Sequence, residues 1–160
     1  WMQERIELEG IYVDPDLAVQ QNSAEIGTRM VDQIENMLSA IRWGRDDVKA
    51  FVGAYLSEPK SHVFFDPPQQ VLGMKAFARA VRSSGYVLDA RSLLLFCDAD
   101  FYLNGEALAL PPPLHELIAS LAHQRRLPAT SLSDCPEGLL ELLHEWYENG
   151  FGAPAQSSKQ

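Results

Sequence analysis

Histidine is the residue type best suited to metal or acid–base chemistry, and the sequence has four, at His62, His115, His123 and His144. A metalloprotease helix places two histidines four residues apart on one face. His115-Glu116 starts such a pattern, but His123 lies eight residues on, about 12 Å away by helical rise. No His-x-Asp or His-x-Glu pair occurs, so the facial triad of non-haem iron enzymes is missing. We therefore predict no metal ligand and interpret the histidines as surface or capping residues.

Other catalytic patterns are equally incomplete. There is no Gly-x-Ser-x-Gly nucleophile motif and no glycine-rich phosphate loop. Asp98 and Asp100 are a carboxylate pair that could do acid–base work, but they fall in a turn between strands, where exposed aspartates are common. The sequence thus predicts no catalytic residue and no cofactor-binding residue in this chain.

A basic stripe on a predicted helix is the clearest charged feature, formed by Lys75, Arg79 and Arg82. It is interpreted either as a contact for a phosphate or an acidic partner, or as a solvated helix face. The net charge is −9 over the chain, with −6 over residues 1–70 and −3 over residues 71–160. Duplex binders usually present a net basic face, so nucleic-acid binding is not expected.

Cysteine content and hydropathy indicate the compartment. Cys97 and Cys135 lack the spacing of a disulfide framework or a zinc site, which favours a reducing, cytoplasmic location. No apolar run reaches the roughly 18–20 residues of a membrane span, and no signal pattern opens the chain. The first residue is Trp1 rather than an initiator methionine, which favours a fragment or a processed chain.

Two amphipathic helices are predicted near the start, over Ser23–Trp43 and Asp46–Ser57, joined at Gly44 into an antiparallel hairpin. Their apolar stripes are too wide to be buried by two helices alone. We therefore predict a homodimer, because contiguous exposed apolar surface usually marks an interface. The predicted interface residues are Ile34, Met37, Leu38, Ile41, Phe51, Val52 and Tyr55.

The second half mixes helices and short strands. Its order is a helix over Gln69–Ser83, strands at Tyr86–Leu88 and Leu93–Cys97, a hairpin turning at Asn104-Gly105, and helices from Pro111 and from Pro136 to Glu148. This order predicts an α+β chain whose helical dimerisation segment is followed by a winged-helix-like domain with a small antiparallel sheet. The predicted divisions are a connector at 1–16, the helical dimerisation segment at 17–66, the winged-helix-like domain at 67–152 and a flexible tail at 153–160.

Several segments together resemble the C-terminal half of the bacterial cupin/JmjC ribosomal oxygenases, similar to the ribosomal protein arginine hydroxylases. The segments are Tyr12–Leu17, Ala24–Ile26, Tyr55–Lys60, Val63–Pro68 and Phe101–Glu106. The resemblance implies a parent protein whose N-terminal β-helix binds Fe(II) and 2-oxoglutarate and hydroxylates a ribosomal protein. It also implies a helical dimerisation segment and a closing winged helix, and only these two parts match here.

The leading hypothesis is thus a non-catalytic dimerisation and substrate-positioning region of a 2-oxoglutarate/Fe(II)-dependent hydroxylase. Its expected partners are a second copy and a ribosomal protein substrate. A free-standing winged-helix transcriptional regulator or adaptor is the alternative. An independent hydrolase is disfavoured, because no nucleophile–base pair is evident in the sequence.

Overall fold

The computed structural model describes residues 24, 26–40 and 42–156, without the side chains of residues 37 and 40. The chain forms two compact units, which divide between Val48 and Lys49. The sequence placed the boundary after residue 66. That functional division stays a prediction, and in the structure the second predicted helix belongs to the C-terminal unit from Lys49 onward.

The described residues form six α-helices, a short 3-10 turn and six β-strands. In order they are α1 (Thr28–Ala40), α2 (Arg45–Ser57), α3 (Met74–Ser84), β1 (Tyr86–Leu88), β2 (Leu94–Cys97), β3 (Asp100–Leu103), β4 (Glu106–Leu108), a 3-10 turn (Pro112–Leu114), α4 (His115–Gln124), β5 (Arg126–Leu127), α5 (Ala129–Leu132), α6 (Leu139–Glu148) and β6 (Gly152–Pro154). The α+β class is confirmed. None of the helices in this part of the chain has the length and apolar character of a membrane span.

A winged helix is formed from α4 onward. The order α4, β5, α5, α6, β6 is helix, strand, helix, helix, strand, as in that fold. Its antiparallel sheet has the order β5-β1-β6. The central strand, β1, comes before α4 in the sequence. The core under this sheet is mainly apolar and includes Phe77, Ile118, Leu132 and Leu143, all with no exposed surface.

A second antiparallel sheet, β2-β3-β4, confirms the predicted hairpin. Asn104 and Gly105 both have positive φ, at 52° and 94°, as a two-residue hairpin turn requires. The Asn104 side chain also accepts a hydrogen bond from the backbone N–H of Leu93 at 2.9 Å. The Asn-Gly signal therefore identified both the turn and its register, with Leu103 paired to Glu106.

The helix α3 begins five residues later than predicted, after Gly73 rather than at Gln69. The reason is tertiary. Tyr147 on α6 donates to the carbonyl of Gln70 at 3.3 Å and accepts from the backbone N–H of Leu72 at 3.3 Å. These bonds use backbone groups that a helix would need, and they hold the segment extended.

The predicted flexible tail starts too early. Ala153 and Pro154 lie in β6, where Ala153 pairs with Val87 of β1. The sequence Gly-Ala-Pro has no β-branched or aromatic residue, so local propensity did not reveal the strand. Residues 157–160 lie outside the described part of the chain.

Arg91 fastens the segment before α3 to the loop after β1. Its guanidinium donates to Asp89 at 2.8 Å, to Asp66 at 2.8 Å and to the carbonyl of Phe64 at 2.7 Å. The ring of Phe65 lies 5.8 Å below the same group. The hydrogen bond from Arg91 is the largest effect that lowers the pKa of Asp89.

We expect Asp89→Asn to reduce the free energy of unfolding near pH 7 but not at low pH. A lowered folded-state pKa contributes stability above the unfolded pKa of about 3.9, and that contribution is lost as the pH falls through the folded pKa. Urea unfolding at pH 7 and pH 3 measures the difference. Asp134→Asn, at an exposed aspartate, is the matched control. An Asp89→Asn deficit that persists unchanged at pH 3 would contradict the assignment.

Candidate functional site

One face of α2 carries exposed apolar side chains, which we term the apolar α2 face. It consists of Phe51, Val52, Tyr55 and Leu56, with exposed fractions of 38%, 41%, 64% and 58%. The rings of Phe51 and Tyr55 stack with centroids 5.6 Å apart, as residues four apart on a helix can. The stack forms a flat surface with little rotamer freedom left to lose on binding.

The opposite face of α2 is small and packs on β3. Gly53 lies under the ring of Tyr102, so close that a Cβ there would be 2.2 Å from a ring carbon. The Tyr102 hydroxyl donates to the carbonyl of Lys49 at 3.4 Å. The hydroxyl of the buried Ser57 accepts from the backbone N–H of Gly105 at 3.0 Å. Small residues thus bring the helix close to the sheet and leave its apolar residues facing outward.

An ion-pair cluster lies near the N-terminal end of the contact between α2 and β3. Lys49 Nζ lies 2.6 Å from Asp100 and 3.1 Å from Asp98. The hydrogen bonds that Lys49 donates to Asp100 and Asp98 raise the pKa of Lys49. The two turn aspartates, considered above for acid–base work, are therefore engaged with Lys49, and their arrangement is that of a structural contact.

The predicted interface residues on α1 are exposed where the structure describes them. Ile34 is 45% exposed and Leu38 is 62% exposed. The Met37 side chain and Ile41 lie outside the described residues. Because α1 belongs to the other compact unit, its antiparallel pairing with α2 remains a prediction.

The basic stripe lies on the exposed face of α3, opposite the fully buried Phe77 and Val81. Lys75, Arg79 and Arg82 line a shallow surface depression on this helix. Arg82 is partly engaged, since its Nε donates to the carbonyl of Leu132 at 3.3 Å. The structure brings the three cations to one face, and a role as a partner contact remains a prediction.

An acidic face on α6 was missed by the sequence analysis. Leu139, Leu143 and Trp146 are buried, and the exposed side carries Glu141, Glu145 and Glu148 at offsets 0, 4 and 7. The spacing was visible in the sequence, but its meaning depends on the fold. In the winged-helix order, α6 takes the place of the helix that reads DNA in helix-turn-helix proteins.

Two of the histidines have structural contacts. The ring Nε2 of His115 lies 3.0 Å from the carbonyl of Leu110, and that of His144 lies 2.7 Å from the carbonyl of Leu72. Within the described ranges, no group of three His, Cys, Asp or Glu side chains is arranged to hold a metal ion. The interpretation of the four histidines as surface or capping residues stays a prediction.

Comparison with known proteins identifies proteins of similar fold. The model of the ROXA-like winged helix family matches residues 36–152. The structure of YcfD, a ribosomal oxygenase from Escherichia coli, is similar with a TM-score of 0.65 and 20% identity, over 94% of this chain and 42% of that one. The same protein in complex with cobalt and 2-oxoglutarate gives a TM-score of 0.64 with the same identity and coverage. No curated protein sequence matches the chain.

The chain therefore spans about 42% of the length of the solved structure that it resembles. The family match covers most of the present sequence and includes α2, the β2-β3-β4 sheet and the winged helix as far as the first residue of β6. It confirms the resemblance inferred from the sequence segments. The chain belongs to the ROXA-like winged helix family.

Proposed function

We propose that this chain is the non-catalytic dimerisation and substrate-positioning region of a 2-oxoglutarate/Fe(II)-dependent protein hydroxylase. The observation that carries the dimer is the apolar α2 face, which a rigid contact with β3 holds toward solvent. An amphipathic helix usually buries its apolar side. Here the small side is packed, and Val52, Tyr55 and Leu56 on the apolar side are exposed, which is the arrangement expected when a second protein covers them.

The covering protein is a second copy of the chain. Two-fold pairing is the commonest closed assembly, and it lets one surface meet itself. Full burial of a side chain of this size contributes about 1.5–3 kcal/mol. The gain is smaller here because each residue is partly covered already. Eight such side chains, four from each copy, can still offset an association cost of about 4–15 kcal/mol.

The proposed enzymatic context comes from family membership. The similar E. coli protein is described as a ribosomal oxygenase and binds 2-oxoglutarate and cobalt. By analogy, the parent protein would bind Fe(II) and 2-oxoglutarate in a separate domain and hydroxylate a ribosomal protein, with arginine the residue implied by the resemblance. This region would assemble the parent and orient that substrate in the cytoplasm.

A free-standing winged-helix transcriptional regulator or adaptor is the alternative function, and the acidic face of α6 disfavours a regulator that reads DNA. A duplex reader would place α6 in the major groove, where Glu141, Glu145 and Glu148 would face phosphates of the same sign. The basic stripe on α3 supports the alternative only if duplex binding through it is found. Such binding would weaken steeply with salt, whereas an apolar dimer would not.

Light scattering on the wild-type chain tests the proposal. We expect twice the chain mass of 17.9 kDa at tens of micromolar, with little change between low and high salt. The apolar α2 face has no charged member, so ionic strength should not weaken the assembly. A chain that stays monomeric over this concentration range would contradict the dimer.

A further inference from the structure

A cleft of about 270 Å³ opens between α6 and the β3–β4 hairpin. Its apolar lining includes Leu108 and Leu142, together with Trp146 and Phe151. The lining also includes two carboxylates, those of Glu106 and Glu145. Both glutamates are exposed residues, and neither forms an ion pair within the part of the chain that the structure describes.

This combination has a definite chemical preference. Apolar walls suit the methylene stem of a long side chain, and carboxylates at the rim suit a cationic head. A lysine or arginine side chain satisfies both requirements at once. Arginine also matches a carboxylate with two parallel hydrogen bonds. Anionic and purely aliphatic ligands would leave one of the two features unused.

The charge around the cleft favours the same ligand. Glu141 and Glu148 flank Glu145 on the exposed side of α6, and the chain as a whole carries a net charge of −9. A field of one sign raises the local concentration of the opposite charge and speeds its capture. The partner that presents long cationic side chains on a flexible backbone is a basic protein segment.

We propose that this cleft binds an arginine or lysine side chain of a basic segment in a partner protein. The proposal rests on the substrate-positioning part of the function proposed above and specifies the chemistry of that contact. It does not depend on dimerisation, because every lining residue belongs to one chain and none belongs to the apolar α2 face. The two ideas can therefore fail separately.

Fluorescence anisotropy with a fluorescein-labelled peptide of alternating arginine and glycine tests the proposal on the full chain. The neutral probe replaces each arginine with citrulline, which keeps the shape and removes the charge. We expect the arginine peptide to bind at about 50 mM salt and the citrulline peptide to bind at least tenfold more weakly, which is about 1.4 kcal/mol. No detectable binding of the arginine peptide up to millimolar concentration would overturn the proposal.

A pair of double variants locates the site. Glu106→Gln with Glu145→Gln removes two charges from the cleft and should weaken the arginine peptide at least tenfold. Glu116→Gln with Glu137→Gln removes the same charge from exposed positions outside the lining and should weaken it less than threefold. Equal weakening by both pairs would assign the binding to net charge and overturn the cleft. Circular dichroism verifies that each variant is folded, and light scattering reports the dimer independently.

Discussion

The substitution Val52→Asp is expected to produce a folded monomer. Val52 lies at the centre of the apolar α2 face and is 41% exposed in the single chain, so the free protein tolerates the charge. In the dimer the same carboxylate would be buried without a partner, at a cost of several kcal/mol. A loss of about 3 kcal/mol raises the dimer dissociation constant about 100-fold. Light scattering gives the mass and circular dichroism gives the fold.

Ala76→Asp is the matched control. It adds the same charge to an exposed helical position on α3, outside the apolar α2 face, and should leave the dimer unchanged. Leu38→Asp extends the test to α1. If the variant is a folded monomer, Leu38 lies in the interface. If the variant is unfolded, Leu38 packs against the rest of the same chain. A Val52→Asp protein that dimerises as tightly as the wild type would refute the interface.

Helical periodicity predicted the parts of the fold in which one face of an element is buried. The buried residues of α6, Leu139, Leu143 and Trp146, lie on the face expected from their spacing. The Asn104-Gly105 turn was predictable because a two-residue hairpin requires positive φ at both positions. These signals are local, so a single sequence contains them.

The missed elements depend on distant contacts. β5 has two residues and β6 has three, too few for a period of two to be recognised. Each exists because β1 supplies its hydrogen bonds. The start of α3 was misplaced for the same reason, since Tyr147 holds the preceding backbone extended. The cleft lies between β4 and α6. Because these elements are far apart in the sequence, no local sequence pattern predicts it.

The candidate surface on α2 was predicted only in part from the sequence. The apolar residues Phe51, Val52 and Tyr55 were predicted as an interface from their spacing alone. The residues that orient them, Gly53 and Ser57, gave no signal, because glycine inside a helix normally just weakens it. The ring of Tyr102 gives Gly53 its function, and this contact joins α2 to β3, which are far apart in the sequence.

Gly53→Ala should therefore destabilise the chain, against the usual effect of this substitution. In an unconstrained helix, alanine is more stable than glycine by about 1 kcal/mol. Here the new Cβ would lie 2.2 Å from a ring carbon of Tyr102. That ring is buried with 3% exposure, and its hydroxyl bonds to α2, so it cannot yield easily. Overpacking of this kind costs about 1–3 kcal/mol, and we expect a lower free energy of unfolding by urea.

The double variant Gly53→Ala with Tyr102→Ala separates the clash from every other effect. Without the ring, the added methyl meets open space, and Gly53→Ala should then stabilise the Tyr102→Ala protein by up to about 1 kcal/mol. A reversal of sign is the signature of direct contact. The same pair tests the link to assembly, because α2 displaced from β3 no longer presents Phe51 and Tyr55 on a fixed plane. Gly53→Ala should weaken the dimer as well as the fold, and a stabilised chain with an unchanged dimer would refute the role of this contact.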